Sequence, residues 1–391
     1  MSSFKRVIGY IFGVLIFLVV LSYATDYDYI LKGIRVVYFT GHTTAFIDDH
    51  VYFENEVIPA SQNPQPWPEH KNMNKIEPTE TLKETHDELG TIAFLIFKND
   101  SVWHEYYAED YGPTSQTNSF SMAKSITSAL LGKAISDGFI TSLNQPVGDF
   151  IPKFENTALT VGDLSSMASG LNWEESYTSP FSVTARSYYD DDLAETILDL
   201  EVTETPGEAY KYLSGNTQLL AMVIEKATGK DLETYLYQSF WNPMGAEQPA
   251  LWQVDDEEHR LVKAYCCLSS NARDFARFGK LYKDFGSWNG LQLLDSTFVA
   301  KSIQPRFEES PEYGYGLWLS DHLDKEIFVM RGILGQYVIT IPEDDLIIVR
   351  LGHQRGSRSD MPFSSDFYTY VEETYAMLHR ANDQISDEIM H

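Results

Sequence analysis

Segments with strand character lie near both ends of this chain, and helical segments fill the region between them. Two apolar segments, 91–97 and 102–108, are separated by Lys98-Asn99-Asp100, which is typical of a hairpin turn. Near the other end, four more strand-like segments precede a predicted helix at 363–381: 315–319, 327–330, 336–341 and 346–351. We therefore predict an α+β fold, in which an antiparallel sheet is built from both ends of the chain and a helical lobe, about 120–305, is inserted.

The first 25 residues have the pattern of a signal anchor or signal peptide. Lys5 and Arg6 precede an uncharged run, 7–24, and acidic residues follow it. The positive-inside rule then predicts export, with the body of the protein anchored on the periplasmic side of the inner membrane or, after cleavage, free in the periplasm. The segment 22–24 (Ser-Tyr-Ala) resembles a cleavage site, but the apolar run is longer than a usual signal core, which favours an uncleaved anchor.

The rest of the chain divides into two parts. Five prolines lie between residues 59 and 78, so the segment 26–86 is predicted to be an irregular extension that wraps around the main domain. Residues 87–391 then form that domain.

A serine and a lysine stand three residues apart at the start of a predicted helix, 120–136, with Ser119 as a candidate N-cap and Gly138 just beyond the end. Residues three apart share a helix face, so Ser121 and Lys124 can touch. A serine becomes a good nucleophile when a neighbouring base removes its proton. Lysine can be that base only when neutral, which requires its pKa to fall by roughly 3 units from about 10.4. The alternative interpretation is an N-capping serine beside a solvated lysine.

Composition disfavours several other functions. The chain carries 57 acidic and 29 basic residues, a formal charge of -28, which makes a nucleic-acid partner improbable. The ten histidines show no metal-binding spacing, so no metal site is predicted, and no nucleotide-binding glycine motif indicates a cofactor. Cys266 and Cys267 are neighbours and could not staple distant segments. The adjacent pair Glu174 and Glu175 does not fit a glycosidase, because neighbouring side chains diverge.

A set of ordered motifs extends over about 88–380. Besides Ser-x-x-Lys at 121–124, its segments are 167–173 (MASGLNW), 206–208 (PGE), 212–220 (YLSGNTQLL), 270–279 (SNARDFARFG) and 335–337 (GQY). Together these motifs resemble the serine β-lactamase and penicillin-binding-protein superfamily, in the branch with class C β-lactamases, D-alanyl-D-alanine peptidases, esterases and 6-aminohexanoate-dimer hydrolases.

The resemblance implies roles for residues of the first two motifs. Ser121 would be the acylated nucleophile, Lys124 its proton partner, and Tyr212 the tyrosine that passes protons to the leaving group or to water. Ser214 stands where the family usually has asparagine, as it can in the esterases and dimer hydrolases. We expect Trp173 and Tyr177 near the cleft mouth.

The third motif falls at Ile333-Leu334-Gly335, where the family often has a lysine, histidine or tryptophan first. A lysine there would bind a substrate carboxylate, whereas Ile333 offers only apolar contact, which favours neutral esters or amides. By the same resemblance Gly335 lets the strand approach the substrate, and the backbone N–H groups of Ser121 and Gln336 would form the oxyanion hole.

The sequence thus predicts an exported serine hydrolase that acts on a small ester or amide through an acyl-enzyme. A β-lactamase or D-alanyl-D-alanine carboxypeptidase is the alternative within the same class of enzymes. A catalytically silent protein that binds cell-wall fragments or a partner protein is the alternative from another class. The oligomeric state stays open.

Overall fold

The computed structural model describes the backbone of residues 2–390 and the side chains of residues 4–383. Helices occupy the following segments: α1 Ser2–Ala24, α2 Tyr29–Val37, α3 Glu80–Glu88, α4 Met122–Ser136, α5 Val161–Ser165, α6 Val183–Tyr189, α7 Leu193–Leu198, α8 Ser214–Thr228, α9 Leu232–Leu236, α10 Ala272–Lys283, α11 Ser296–Ser302 and α12 Ser365–Met390. Strands occupy the following segments: β1 Asn55–Ile58, β2 Thr91–Lys98, β3 Ser101–Tyr107, β4 Thr117–Asn118, β5 Ala250–Gln253, β6 Leu268–Ser270, β7 Ser287–Trp288, β8 Leu291–Gln292, β9 Trp318–Ser320, β10 Ile327–Gly332, β11 Gln336–Ile341 and β12 Leu346–Gly352.

The main sheet is antiparallel, with strand order β3-β2-β12-β11-β10-β9. Because β2 from the first part of the domain pairs with β12 from the last, the predicted sheet built from both ends of the chain is confirmed. Side chains alternate between its faces. Leu95 and Phe97 join the core beneath the helical lobe, whereas Phe94 and Ile96 join a second core under α12.

Helix α4 runs through the interior of the helical lobe and packs beside α8. Nearly all of its residues are buried, as expected for a helix that has apolar or small side chains on every face. The predicted N-cap is wrong: the helix begins at Met122, Ser121 occupies the cap position, and Ser119 lies before the turn. The turn places Phe120 at a φ of 47°, a left-handed conformation that costs a bulky residue energy and is found where function demands it.

The N-terminal extension is more regular than predicted. It contains α2 and β1, and β1 pairs with β5 to start a second sheet of order β1-β5-β6-β4. The strand β4 at the other edge leads directly into the turn at Phe120. The extension therefore supports the segment that carries Ser121.

One helix of the described chain is long and apolar enough to cross a membrane. It spans Phe4–Ala24, with a mean hydropathy of 2.5, and none of it is buried against the rest of the protein. Four residues separate the end of α1 from α2.

Asp274 and Arg277 of α10 form a buried ion pair, and hydrogen bonds connect this pair to the loop before β5. Asp274 accepts hydrogen bonds from Arg277 Nε at 2.8 Å and from the backbone N–H groups of Glu247 and Gln248, and both charged side chains are almost completely buried. We expect Asp274→Ala to lower the free energy of unfolding by about 3 kcal/mol, because Arg277 would lose its fully buried partner and keep an ion pair only with the less buried Glu247. The two backbone N–H groups that donate to Asp274 would lose their acceptor as well. Urea unfolding measures the loss. Glu80→Ala, which removes an exposed ion pair with Lys83, is the control and should leave the midpoint nearly unchanged. Similar midpoints for the two variants would contradict this account.

Candidate active site

Ser121 lies half-exposed at the start of α4, and a hydrogen-bond network fixes the turn before it. The side chain of Asn118 accepts from the N–H of Phe120 at 2.9 Å and donates to Asp49 at 3.0 Å. Asp49 belongs to the N-terminal extension, is fully buried, and also accepts from the Tyr188 hydroxyl at 2.6 Å. The extension thus holds the turn in its left-handed conformation.

The Lys124 ammonium points back toward the serine from one turn further along α4. Its Nζ lies 3.0 Å from Ser121 Oγ and 2.7 Å from the carbonyl oxygen of Tyr265. The side chain is 3% exposed, and this burial lowers the pKa of Lys124 to about 8, against a smaller opposing effect of the Glu175 carboxylate. A substantial fraction of Lys124 is therefore neutral near physiological pH and can accept a proton from Ser121.

Tyr212 completes the cluster that the sequence predicted. The Lys124 Nζ lies 5.2 Å from the centroid of its ring, which packs against Trp318 at 5.3 Å. Burial raises the pKa of the Tyr212 phenol, and its contact with the Ser121 hydroxyl opposes this only in part. Because the pKa of Tyr212 stays above that of Lys124, the phenol keeps its proton and the lysine is the stronger candidate for the base.

Glu175 is the residue of this region that the sequence interpretation missed. Its carboxylate accepts hydrogen bonds from Trp173 Nε1 at 2.8 Å, from the Tyr177 hydroxyl at 2.5 Å, and from both the N–H and the hydroxyl of Ser214 at 2.7 and 2.8 Å. Residues 173, 175 and 177 alternate along an irregular segment, and that spacing is the one signal in the sequence that could have grouped them.

The pocket above Ser121 has a volume of about 90 Å³ and mostly apolar walls. Ser214 and Ile333, both predicted cleft residues, lie on its wall together with Tyr177, Tyr188 and Tyr265. Trp173, predicted near the cleft mouth, is instead 2% exposed and holds Glu175.

The third motif runs beside Ser121, but Gly335, which was expected to approach the substrate, packs against Arg350. A Cβ on Gly332 would lie 2.3 Å from the carbonyl oxygen of Ser119, so the end of β10 passes close to the serine turn, and Gln336 begins β11 opposite Gly332. Gly335 has a φ of 80°, and a Cβ there would lie 2.5 Å from Arg350 Nη1. The conformation and this packing account for the glycine without a substrate contact.

Two further sequence interpretations concern the cysteines and metals. The structure joins Cys266 and Cys267 in a disulfide, and Cys266 lies on the pocket wall. Among the side chains that the structure describes, no group of three or more histidines, cysteines or carboxylates could hold a metal ion.

Comparison with known proteins decides the family. The family model described as Beta-lactamase matches residues 79–367, more than half of the chain, and these include every residue of the site described above except Asp49. The chain belongs to the beta-lactamase family. The superfamily resemblance drawn from the motifs is thereby confirmed.

Within the beta-lactamase family, the chain is similar to several proteins named as hydrolases. The 6-aminohexanoate-dimer hydrolase of Paenarthrobacter ureafaciens is 26% identical over 298 residues, which cover 69% of this chain and 74% of that protein. A Bacillus anthracis structure provisionally assigned as a 6-aminohexanoate-dimer hydrolase superposes with a TM-score of 0.69 at 20% identity, covering 85% of this chain and 92% of the other. A family VIII carboxylesterase superposes with a TM-score of 0.58 at 14% identity, covering 77% and 98%. These structures share the fold.

The pKa of Lys124 leads to a prediction about the pH profile. If neutral Lys124 is the base, kcat/KM for p-nitrophenyl acetate rises about tenfold per pH unit below about pH 8 and levels off above it. Because the Glu175 carboxylate raises the pKa of Lys124, Glu175→Gln should move the inflection to lower pH.

The neighbouring exposed carboxylate provides a matched control for this prediction. Glu174→Gln removes a charge one residue away whose side chain points to solvent, and we expect its inflection to coincide with that of the parent protein. An inflection that does not move in Glu175→Gln would contradict the electrostatic role of Glu175, whatever the height of the plateau.

Proposed function

We propose that this chain is an exported serine hydrolase that cleaves a neutral ester or amide through an acyl-enzyme on Ser121. One observation carries the proposal: a buried lysine amine with a pKa of about 8 lies 3.0 Å from the Ser121 hydroxyl. The membership in the beta-lactamase family supports the same chemistry.

The reaction begins when neutral Lys124 accepts the proton of Ser121 and Ser121 Oγ attacks the substrate carbonyl carbon. The negative oxygen of the tetrahedral intermediate would be stabilised by the backbone N–H groups of Ser121 and Gln336. The proton now on Lys124 passes through Tyr212 to the leaving group, whose bond to the carbonyl carbon breaks. Water then attacks the acyl-enzyme with the same groups acting in reverse, which releases the acid and restores Ser121.

The walls of the pocket favour a neutral substrate. Ile333 occupies the place from which a cation could pair with a substrate carboxylate, and the residues described as lining the pocket include neither lysine nor arginine. A β-lactam or a peptide terminus carries such a carboxylate, so these substrates would lack an ionic partner. The similar structure named as a family VIII carboxylesterase fits this preference.

Export is part of the proposal. The helix Phe4–Ala24, which has Lys5 and Arg6 in its first turn, would place the domain on the periplasmic side as an anchored protein or, if it is cleaved, in the periplasm.

Covalent labelling tests the proposal. An alkyl fluorophosphonate should label the full chain once, on the peptide that contains Ser121, and Ser121→Ala should abolish the label. A panel of p-nitrophenyl acetate, nitrocefin and a D-alanyl-D-alanine peptide should then give turnover of the ester above the other two. A folded protein that takes no label would instead be the silent binder, and preferred turnover of nitrocefin or of the peptide would favour the alternative enzymes.

A further inference from the structure

The segment that follows the apolar helix α1 is attached to the wall of the Ser121 pocket. Arg186 of α6 donates to the Asp26 carbonyl oxygen at 2.6 Å and to the Asp26 carboxylate at 3.1 Å. The same guanidinium lies 5.4 and 4.8 Å from the ring centroids of Tyr27 and Tyr29. The end of α1 therefore has a fixed position relative to α6.

Helix α6 in turn forms one side of the pocket, through Thr184, Ala185, Tyr188 and Tyr189. Helix α2 packs across α6, and a Cβ on Gly33 would lie 3.3 Å from the Tyr189 ring. The linker of four residues spans at most about 14 Å. A bilayer that contains α1 must consequently lie close to α2 and to the pocket behind it.

A groove runs between α2 and the segment 177–180. Its volume is about 500 Å³, and α2 contributes Ile30, Ile34 and Val37 to its lining. The groove and the Ser121 pocket share four residues on their walls, which are Thr44, Tyr177, Ala185 and Tyr189. The two spaces are thus neighbours.

Exposed aromatic side chains lie beside the segments that line this groove. Tyr38, which lines the groove, is 63% exposed, and Phe181, which follows the lining residue Pro180, is 69% exposed. The rings of Tyr27 and Phe181 lie 5.8 Å apart. Exposed apolar surface marks an interaction site, and aromatic residues are enriched where proteins meet the membrane–water interface. We call this set, Tyr27, Tyr38 and Phe181, the aromatic rim.

We propose that the aromatic rim rests on the bilayer crossed by α1, and that the groove admits the acyl chain of a neutral long-chain ester from that bilayer to Ser121. The inference rests on the proposed function and narrows its substrate class. The reaction is the one given above: Ser121 Oγ forms a bond to the ester carbonyl carbon, the alcohol leaves with a proton, and water releases the fatty acid.

The charges near α2 favour a neutral over an anionic lipid. Beyond the helix, on the side away from the groove, lies a face that contains Asp190, Asp191 and the segment 255–258, which is acidic throughout. Lys32 and Arg35 oppose these charges only in part. An anionic headgroup would be repelled by this face, most strongly at low ionic strength.

The test uses the full chain reconstituted in phosphatidylcholine vesicles and two substrates with the same leaving group. Methylumbelliferyl palmitate resides in the bilayer, and methylumbelliferyl acetate is in solution. The variant Phe181→Ser should lower the palmitate rate by about tenfold and leave the acetate rate unchanged. Replacing part of the phosphatidylcholine by phosphatidylglycerol should lower the palmitate rate at low salt.

A matched control is available on the hairpin β7–β8. Phe285, just before β7, is 47% exposed and Leu291 of β8 is 63% exposed, so Phe285→Ser/Leu291→Ser should change neither rate. Equal palmitate rates for the rim variant and the parent would overturn the inference. So would conversion of a dimer to a monomer by the rim variant with an unchanged palmitate rate, since the rim would then be a contact between copies. A parent protein that hydrolyses neither the palmitate nor the acetate ester and takes no label on Ser121 would show instead that the proposed function has failed.

Discussion

Ser121→Ala, Lys124→Met and the double variant are each expected to lower kcat/KM for p-nitrophenyl acetate by the same factor, on the order of 10⁴ or more. The reason is that the two side chains act as one unit, joined by the 3.0 Å contact between Lys124 Nζ and Ser121 Oγ. Without the neutral amine the hydroxyl keeps its proton, and without the hydroxyl the amine has nothing to activate. Steady-state kinetics of the three variants measures the non-additivity.

Lys124→Arg separates the need for a base from the need for a positive charge. Arginine keeps the cation but does not lose its proton in proteins, so this variant should be as inactive as Lys124→Met. Thermal unfolding should confirm that the variants fold. Retained activity in Lys124→Arg would contradict the role of Lys124 as a base, and losses that multiply in the double variant would contradict the shared step.

The main sheet could be predicted because each of its strands is an apolar segment that can be recognised from the local sequence. The apolar segment 91–97 and the turn at Lys98-Asn99-Asp100 match β2 and its hairpin with β3, and the four later strands fall within a few residues of the observed bounds. The arrangement of strands at both ends with helices between them predicted that the two ends share one sheet, but it did not predict that β2 pairs with β12.

The supports of the site could not be predicted, because they depend on contacts between distant segments. Glu175 binds Ser214, 39 residues later, and Asp49 binds Asn118, 69 residues later. No periodic pattern connects such residues. The prolines of the extension likewise concealed the strand β1, whose partner β5 lies almost two hundred residues further along the chain.

The turn that carries Ser121 was also predicted only in part, because local spacing was visible in the sequence and the distant contacts were not. The spacing of Ser121 and Lys124 indicated that the two could touch, but the burial that lowers the pKa of Lys124 depends on segments far away in sequence, such as the one whose Tyr265 ring lies 5.6 Å from Lys124 Nζ. Helix capping favoured Ser119, and the tertiary network through Asn118 instead placed Ser121 at the cap position.

Tyr212→Phe is expected to lower kcat/KM for an alkyl ester or an amide by about 10²–10⁴, and by a much smaller factor for a p-nitrophenyl ester. The phenol keeps its proton because burial raises its pKa, so its proposed task is to pass a proton to the leaving group. An alkoxide or amine needs that proton, whereas p-nitrophenolate leaves readily without it. Phenylalanine preserves the packing on Trp318 and beside Lys124 and removes only the hydroxyl.

Tyr210 supplies the matched control for this last prediction. It lies two residues before Tyr212, its ring packs on Tyr313 at 5.3 Å, and its buried hydroxyl makes no hydrogen bond with the described residues. Tyr210→Phe should therefore leave both rates unchanged. Proton delivery to the leaving group is the step under test, so the measurement is the ratio of the kcat/KM values for the two substrates. An equal loss on both substrates in Tyr212→Phe would assign the phenol to activation of Ser121 instead, and no loss on either would remove it from the mechanism.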